Sequence, residues 1–281
     1  MSRSDLTIRM YGSAGPWVIV LHGGPGAPGY MAPVARALAD GFRVLEPFQR
    51  TAGAEPLTVA RHVADLREIV VSRCGGARPA LVGHSWGAML ALAFASAHPD
   101  LSGPIALVGC GTFDLAARAH YRATVDARIG SEAMAHLTAA TDPDERLRLM
   151  AEIYPKADQF DALPEENPSD EGPFDARGHE ETWSDMMRCQ AEGLYPAAFS
   201  RVRGPVIMLQ GAYDPHPGAM IRELLARVMP QVEYKEWERC GHYPWRERAC
   251  REDFLAVLKA WLSEHAGAAQ SAFGGAGGTG R

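Results

Sequence analysis

A serine set between glycines immediately after an apolar run, Ala80-Leu81-Val82 followed by Gly83-His84-Ser85-Trp86-Gly87, constrains the fold of this chain more than any other feature. The pattern describes a strand that turns at once into a helix. Such a turn forces its central residue into strained backbone geometry, and glycines on both sides remove the Cβ clashes that would forbid it. The serine hydroxyl is then held out at the carboxyl edge of a sheet. The helix that follows, 88–98, aims unpaired N-terminal amides at the same point, where they can stabilise an oxyanion.

Other segments repeat the strand-to-turn pattern. Trp17-Val18-Ile19-Val20-Leu21 leads into His22-Gly23-Gly24-Pro25-Gly26, and Val206-Ile207-Met208-Leu209 leads into Gly211-Ala212-Tyr213-Asp214. Cys240-Gly241-His242-Tyr243-Pro244 follows in a later loop. Ser85, Asp214 and His242 therefore occur in the chain order of an α/β-hydrolase triad. A serine hydroxyl is a poor nucleophile until a base takes its proton, and an imidazole with a pKa near ~6.5 can do this at neutral pH and later protonate the leaving group. The imidazole needs a carboxylate on its other nitrogen to fix the tautomer and favour the imidazolium. Asp214 is the candidate; Asp253 and Glu247, in the region after His242, read as surface-pairing residues.

The 281 residues, 47% of them hydrophobic, suffice for one large core plus an excursion from it. A net charge of -6 argues against a nucleic-acid partner. No apolar run is long enough to span a bilayer, so no membrane partner is expected, and residues 1–5 are too polar to open a signal peptide. The five cysteines, at 74, 110, 189, 240 and 250, show no metal-ligand spacing, and a reduced cytoplasmic protein accounts for them. Strands are expected at 6–11, 17–21, 42–46, 80–82, 105–109, 206–209 and 232–237, with helices at 57–74, 88–98 and 252–264. This alternation predicts an α/β-hydrolase fold, a mostly parallel central sheet flanked by helices. Its core comprises 1–110 and 201–265, with a helical lid, 111–200, inserted after the strand ending near Gly109. Within the lid, 116–129, 131–141 and 144–154 read as helices. From Ala266 onward the Gly-rich composition predicts a disordered tail.

Within the lid, the stretch 165–185 carries Glu165, Glu166, Asp170, Glu171, Asp175, Glu180, Glu181 and Asp185 against the single basic Arg177. That imbalance favours a cationic group beneath it, the alternative being a solvated acidic loop. Gly23, Gly24 and Gly26 do not make a dinucleotide fingerprint, because Pro25 interrupts them and the spacing fails. No cofactor and no metal are implied, and the expected partner is a small-molecule or short-peptide substrate. His22 reads as a turn-shaping residue, His84 as pointing away from the pocket, and His216, between Pro215 and Pro217, as an exposed loop histidine. Cys110 and Cys240 read as small buried hydrophobes.

His22-Gly23-Gly24-Pro25-Gly26 together with Ser85-Trp86-Gly87 resembles the proline iminopeptidase branch of the α/β-hydrolases, serine peptidases that remove an N-terminal residue. The resemblance covers the core and, more weakly, the lid. It implies Ser85 as nucleophile, Asp214 and His242 as acid and base, and the amides of Gly24 and Trp86 as the oxyanion hole, with the Trp86 ring in the pocket wall. It further implies that the lid carboxylates around Glu180, Glu181 and Asp185 hold the substrate's free amine. Where that branch carries Asp-Gln-Arg after the third core strand, this chain has Phe48-Gln49-Arg50. A carboxylesterase or lactonase using the same triad therefore stays open. A non-catalytic ligand-binding protein is disfavoured because no triad member is missing.

Overall fold

The computed structural model describes residues 6–164 and 170–271. Strands β1 (Ile8–Tyr11), β2 (Trp17–Leu21), β3 (Arg43–Pro47), β4 (Ala80–His84), β5 (Ile105–Val108), β6 (Val206–Gly211) and β7 (Val232–Trp237) form one sheet in the order β1-β3-β2-β4-β5-β6-β7. Only β1 runs antiparallel to its neighbour β3. All other pairings are parallel. Strands buried on both faces must be apolar throughout, which is why β2, β4, β5 and β6 read as nearly continuous hydrophobic runs. At the edge, β7 is more open instead, with Val232 buried and Glu233 and Glu236 exposed.

Period-two alternation divides the core. Ile19, Leu21, Leu81, Ile105, Leu107 and Met208 face one way and meet α2 (Val59–Arg73), α3 (Trp86–Ala97) and α9 (Gly218–Val228). Val18, Val20, Val82, Val108 and Leu209 face the other way and meet α1 (Ala32–Leu38) and α10 (Arg251–Ser271). Helix α3 is the most enclosed, buried at every position from Trp86 to Ser96. That requires a helix apolar all round, as its sequence is. Between β5 and β6 the chain leaves the core through α4 (Leu115–Ile129), α5 (Ser131–Ala139), α6 (Pro143–Ile153), the short α7 (Pro155–Asp158) and α8 (Ala176–Ala191).

Several sequence expectations need correction. Helix α10 continues through Ser271 rather than ending at 264, so 266–271 is helical, and the remainder of the expected tail lies outside the described residues. Cys240 and Cys250 form a disulfide, which overturns the all-thiol reading; Cys74, Cys110 and Cys189 are free and buried. The Cα atoms of Cys240 and Cys250 are 6.1 Å apart, within the span a disulfide bridges. No described helix is long and apolar enough to cross a membrane.

The order of the sheet locates the site. From β2 the chain crosses to β3 on one side and returns to β4 on the other, so β2 and β4 are neighbours whose following loops diverge. The crevice at such a switch point, outside the carboxyl ends of the strands, is where open α/β sheets place their ligands. The loops that open there are His22-Gly23-Gly24 after β2 and the Ser85 turn after β4.

Candidate active site

Ser85 caps α3 with φ 55° and ψ -119°, and it is the single non-glycine residue of positive φ among those described. A Cβ on Gly83 would collide with the Gly87 carbonyl, and one on Gly87 with the carbonyls of Leu21 and His22. Both glycines are needed because the turn folds back on itself and then presses against the end of β2. The β2 loop lies alongside, since a Cβ on Gly23 would stand 2.9 Å from that of Ser85.

A buried hydrogen-bond chain binds these loops together. The His84 ring accepts the Tyr30 hydroxyl proton at Nδ1, at 2.6 Å, and donates from Nε2 to the His242 carbonyl, at 2.8 Å. A carbonyl can only accept, so Nε2 carries the hydrogen. Burial holds His84 in this neutral form, well below the usual imidazole range. The Tyr30 oxygen in turn accepts from the Gly23 amide at 2.6 Å. His84 is thus buried, and its bonds run to Tyr30, which holds the Gly23 loop, and to the His242 loop. On the other flank, His22 donates from Nδ1 to the Gly23 carbonyl and accepts the Gln49 amide at Nε2; burial lowers its pKa to about 4. Gln49 also bonds the His22 carbonyl and the Trp86 indole N–H. The Trp86 ring, 1% exposed, is therefore a clamp within the core rather than an exposed pocket wall.

Asp214 follows β6 and is buried. Its Oδ2 accepts from His242 Nδ1 at 2.7 Å and from Gln210 Nε2 at 2.7 Å. Its Oδ1 accepts from the His216 amide at 2.9 Å and His216 Nδ1 at 2.8 Å. Burial alone would push this carboxyl up, but the two imidazoles beside it outweigh that and hold it well below the ordinary carboxylate range. For His242 burial disfavours the imidazolium, yet the Asp214 charge and hydrogen bond prevail, and its pKa is raised. The result is an ionised carboxylate orienting an imidazole whose base strength is increased, the arrangement general-base chemistry needs. Asp214, His216 and His242 are also a grouping of metal-ligand type among the described residues. Both carboxylate oxygens are already engaged by imidazole N–H groups, so the trio is organised by hydrogen bonds and not as a coordination sphere.

The His242 loop is anchored by two residues whose roles the sequence did not reveal. Glu247 is fully buried and accepts from the amides of Phe160 at 2.8 Å, Asp161 at 2.7 Å and Gly241 at 3.1 Å. Its expected role in surface pairing is thus corrected, whereas Asp253 does pair at the surface, with Trp237 and Lys235. The Asp158 carbonyl accepts the His242 amide at 2.6 Å, while its own carboxyl is buried with Oδ1 unpartnered and its pKa raised by that burial. Replacing Glu247 with alanine would take the acceptor from three amides, that of Gly241 buried and those of Phe160 and Asp161 partly so. At roughly 1–3 kcal/mol for an unsatisfied buried donor, and less for each of the two that water can still reach, the expected loss of unfolding free energy is on the order of 3–5 kcal/mol. It is measured as a lower urea midpoint at unchanged slope.

Two of the three carboxylates expected to hold an amine are engaged by other groups. Glu181 accepts the Leu57 amide at 2.8 Å and pairs with Arg177 at 2.7 Å. Asp185 accepts the Val59 amide at 2.8 Å and pairs with Arg188 at 2.7 Å. Both bind the unpaired amides at the start of α2, where a helix attracts anions. Glu180 is exposed on α8. Elsewhere in the acidic stretch, Asp175 caps α8, Asp170 pairs with Arg36 and Glu171 with Arg246. Glu165 and Glu166 lie outside the described residues. Asp170, Glu171, Asp175, Glu181 and Asp185 thus serve helix ends and ion pairs.

The chain belongs to the Alpha/beta hydrolase family, whose pattern matches residues 18–252. A search of curated protein sequences finds no significant match. Among solved structures, VinJ superposes with a TM-score of 0.68 at 19% identity, over 94% of this chain and 97% of that one. A proline iminopeptidase of Mycobacterium smegmatis gives 0.63 at 23% identity, over 95% and 97%. A thermophilic esterase of Thermogutta terrifontis gives 0.62 at 20%, over 92% and 93%. At these identities the likeness is one of fold.

Proposed function

We propose that the protein is a serine hydrolase of small carboxylic esters that works through an acyl-enzyme. The observation that carries this reading is the 2.7 Å bond from His242 Nδ1 to Asp214, in a loop hydrogen-bonded to the residue preceding Ser85. His242 takes the Ser85 proton through Nε2 as the oxygen attacks the ester carbonyl. The amides of Gly24 and Trp86 receive the developing oxyanion. His242 then returns the proton to the leaving alcohol, and a water activated by the same imidazole hydrolyses the acyl-enzyme. The helical insertion serves as the lid that shapes the acyl pocket.

Ester is preferred to amide because Glu181 and Asp185, the carboxylates assigned to a substrate amine, are engaged by α2 and by arginines. The aminopeptidase reading retains one supporting observation, the unpartnered oxygen of Asp158, together with the His22-Gly23-Gly24-Pro25-Gly26 and Ser85-Trp86-Gly87 motifs. A panel of short acyl esters, aminoacyl arylamides and their N-acetyl forms separates the two. Under the ester reading Glu181→Gln leaves kcat/KM for short acyl esters within about twofold, and wild type does not favour free-amine over acetylated substrates. Strong preference for the free amine, lost in Asp158→Asn, would transfer the assignment to an aminopeptidase.

A further inference from the structure

We propose that His216 is a positioning residue for the general base: it grips Asp214 by the oxygen His242 does not use, and it joins helix α4 of the insertion to the face of the His242 ring. The inference rests on the reading of Ser85 and His242 as nucleophile and base.

Local sequence places His216 with little freedom. In Asp214-Pro215-His216-Pro217-Gly218 each proline fixes its own φ and disfavours the helical region for the residue before it. Asp214 and His216 are therefore both held in extended or turn conformations until α9 begins at Gly218. The Asp214 side chain accepts the amide two residues on, closing an Asx turn. That turn brings the His216 ring back onto the same oxygen. Expected as an exposed loop residue, the His216 side chain is only 14% exposed.

Two contacts distinguish this from ordinary packing. Ionised Asp214 can only accept, so His216 Nδ1 carries a hydrogen, and the carboxylate has an imidazole N–H on each oxygen. The rings also meet: His216 stacks on His242 with centroids 4.7 Å apart and planes at 24°, and Tyr121 of α4 lies against His216 in a tilted contact at 4.4 Å and 31°. His216 thus shares the charge that Asp214 offers His242 and covers the ring that moves the proton. If its N–H is removed, more of the carboxylate charge falls on His242, the imidazolium is held more tightly, and the neutral base is lost at a higher pH. The groups facing this pair are His84 of β4, Asp158 of α7, Tyr243 of the His242 loop and Tyr121 of α4. All of them remain when His216 alone is changed.

The test is the rate at which a fluorophosphonate probe labels Ser85, followed across pH in wild type, His216→Phe and His216→Gln, with circular dichroism to check folding. Phenylalanine keeps a stacking ring without a donor, and its acid limb is expected to rise by about half a pH unit to one unit as a hydrogen bond to Asp214 is lost. Glutamine keeps a donor and is expected to lie closer to wild type. If the phenylalanine protein does not fold, His216→Ala takes its place in the comparison. An acid limb that stays put in the donor-less variant, whether or not the rate falls, overturns the role. Wild type that fails to label, or Ser85→Ala that labels equally fast, overturns the hydrolase reading beneath it instead.

Discussion

Replacing Ser85 with alanine is expected to lower kcat on short acyl esters by a factor on the order of 10⁶, if nucleophile, base and acid act as one unit, while the protein stays folded. Alanine occupies the same strained backbone position as serine, so the fold loses only the hydroxyl. Glycine at the same site makes a second point. The φ of 55° is one that side chains rarely adopt, and such strain costs about 1–3 kcal/mol. Ser85→Gly should therefore be equally inactive and yet melt higher than wild type, with the strain exposed as a requirement of presenting the hydroxyl. More than a few per cent of wild-type turnover in either variant would remove Ser85 from the nucleophile's role.

Asp214→Asn is expected to reduce kcat by about 10⁴, the scale on which loss of the correct imidazole tautomer acts. The environment of this carboxylate explains the severity. All four of its hydrogen-bond partners are donors: His242 and Gln210 on one oxygen, and the amide and ring of His216 on the other. An amide must turn its NH₂ toward one of these pairs, so at least one donor faces another. Facing His242, it forces the hydrogen from Nδ1 to Nε2, the nitrogen that must accept the serine proton. The residual activity should also show an acid limb at lower pH, since the charge that raises His242 is gone. Asp253→Asn is the control and is expected to stay within about twofold of wild type, as surface changes usually do. The opposite result, with Asp253→Asn inactive and Asp214→Asn unaffected, would move the acid to the later position.

The two outcomes differ in how far the sequence foresaw their surroundings. Gly83, Ser85 and Gly87 announce their turn because the steric requirement is local: the residue that must accept the strain and those that must lack a Cβ stand within five positions. The surroundings of Asp214 depend on a fold in the chain two residues further on. His216 looked like a solvent-facing histidine because its proline neighbours suggest a loop and nothing adjacent shows what the loop packs against.

Short-range periodicity and turn sterics govern the part of the fold that is legible in the order of residues. The continuous apolar runs of β2, β4, β5 and β6 specified strands buried on both faces and a mostly parallel sheet, and the turn and loop motifs after them offered Ser85, Asp214 and His242 in succession. Which polar groups meet depends on long-range packing. Glu181 and Asp185 bind the start of α2, more than a hundred residues earlier in the chain, Glu247 holds Gly241 against Phe160 and Asp161, and Cys240 reaches Cys250. A carboxylate carries the same charge whether it caps a helix, anchors a loop or awaits a ligand. Its role is set by the donors that folding brings within about 3 Å, and that distance is a property of the packed chain.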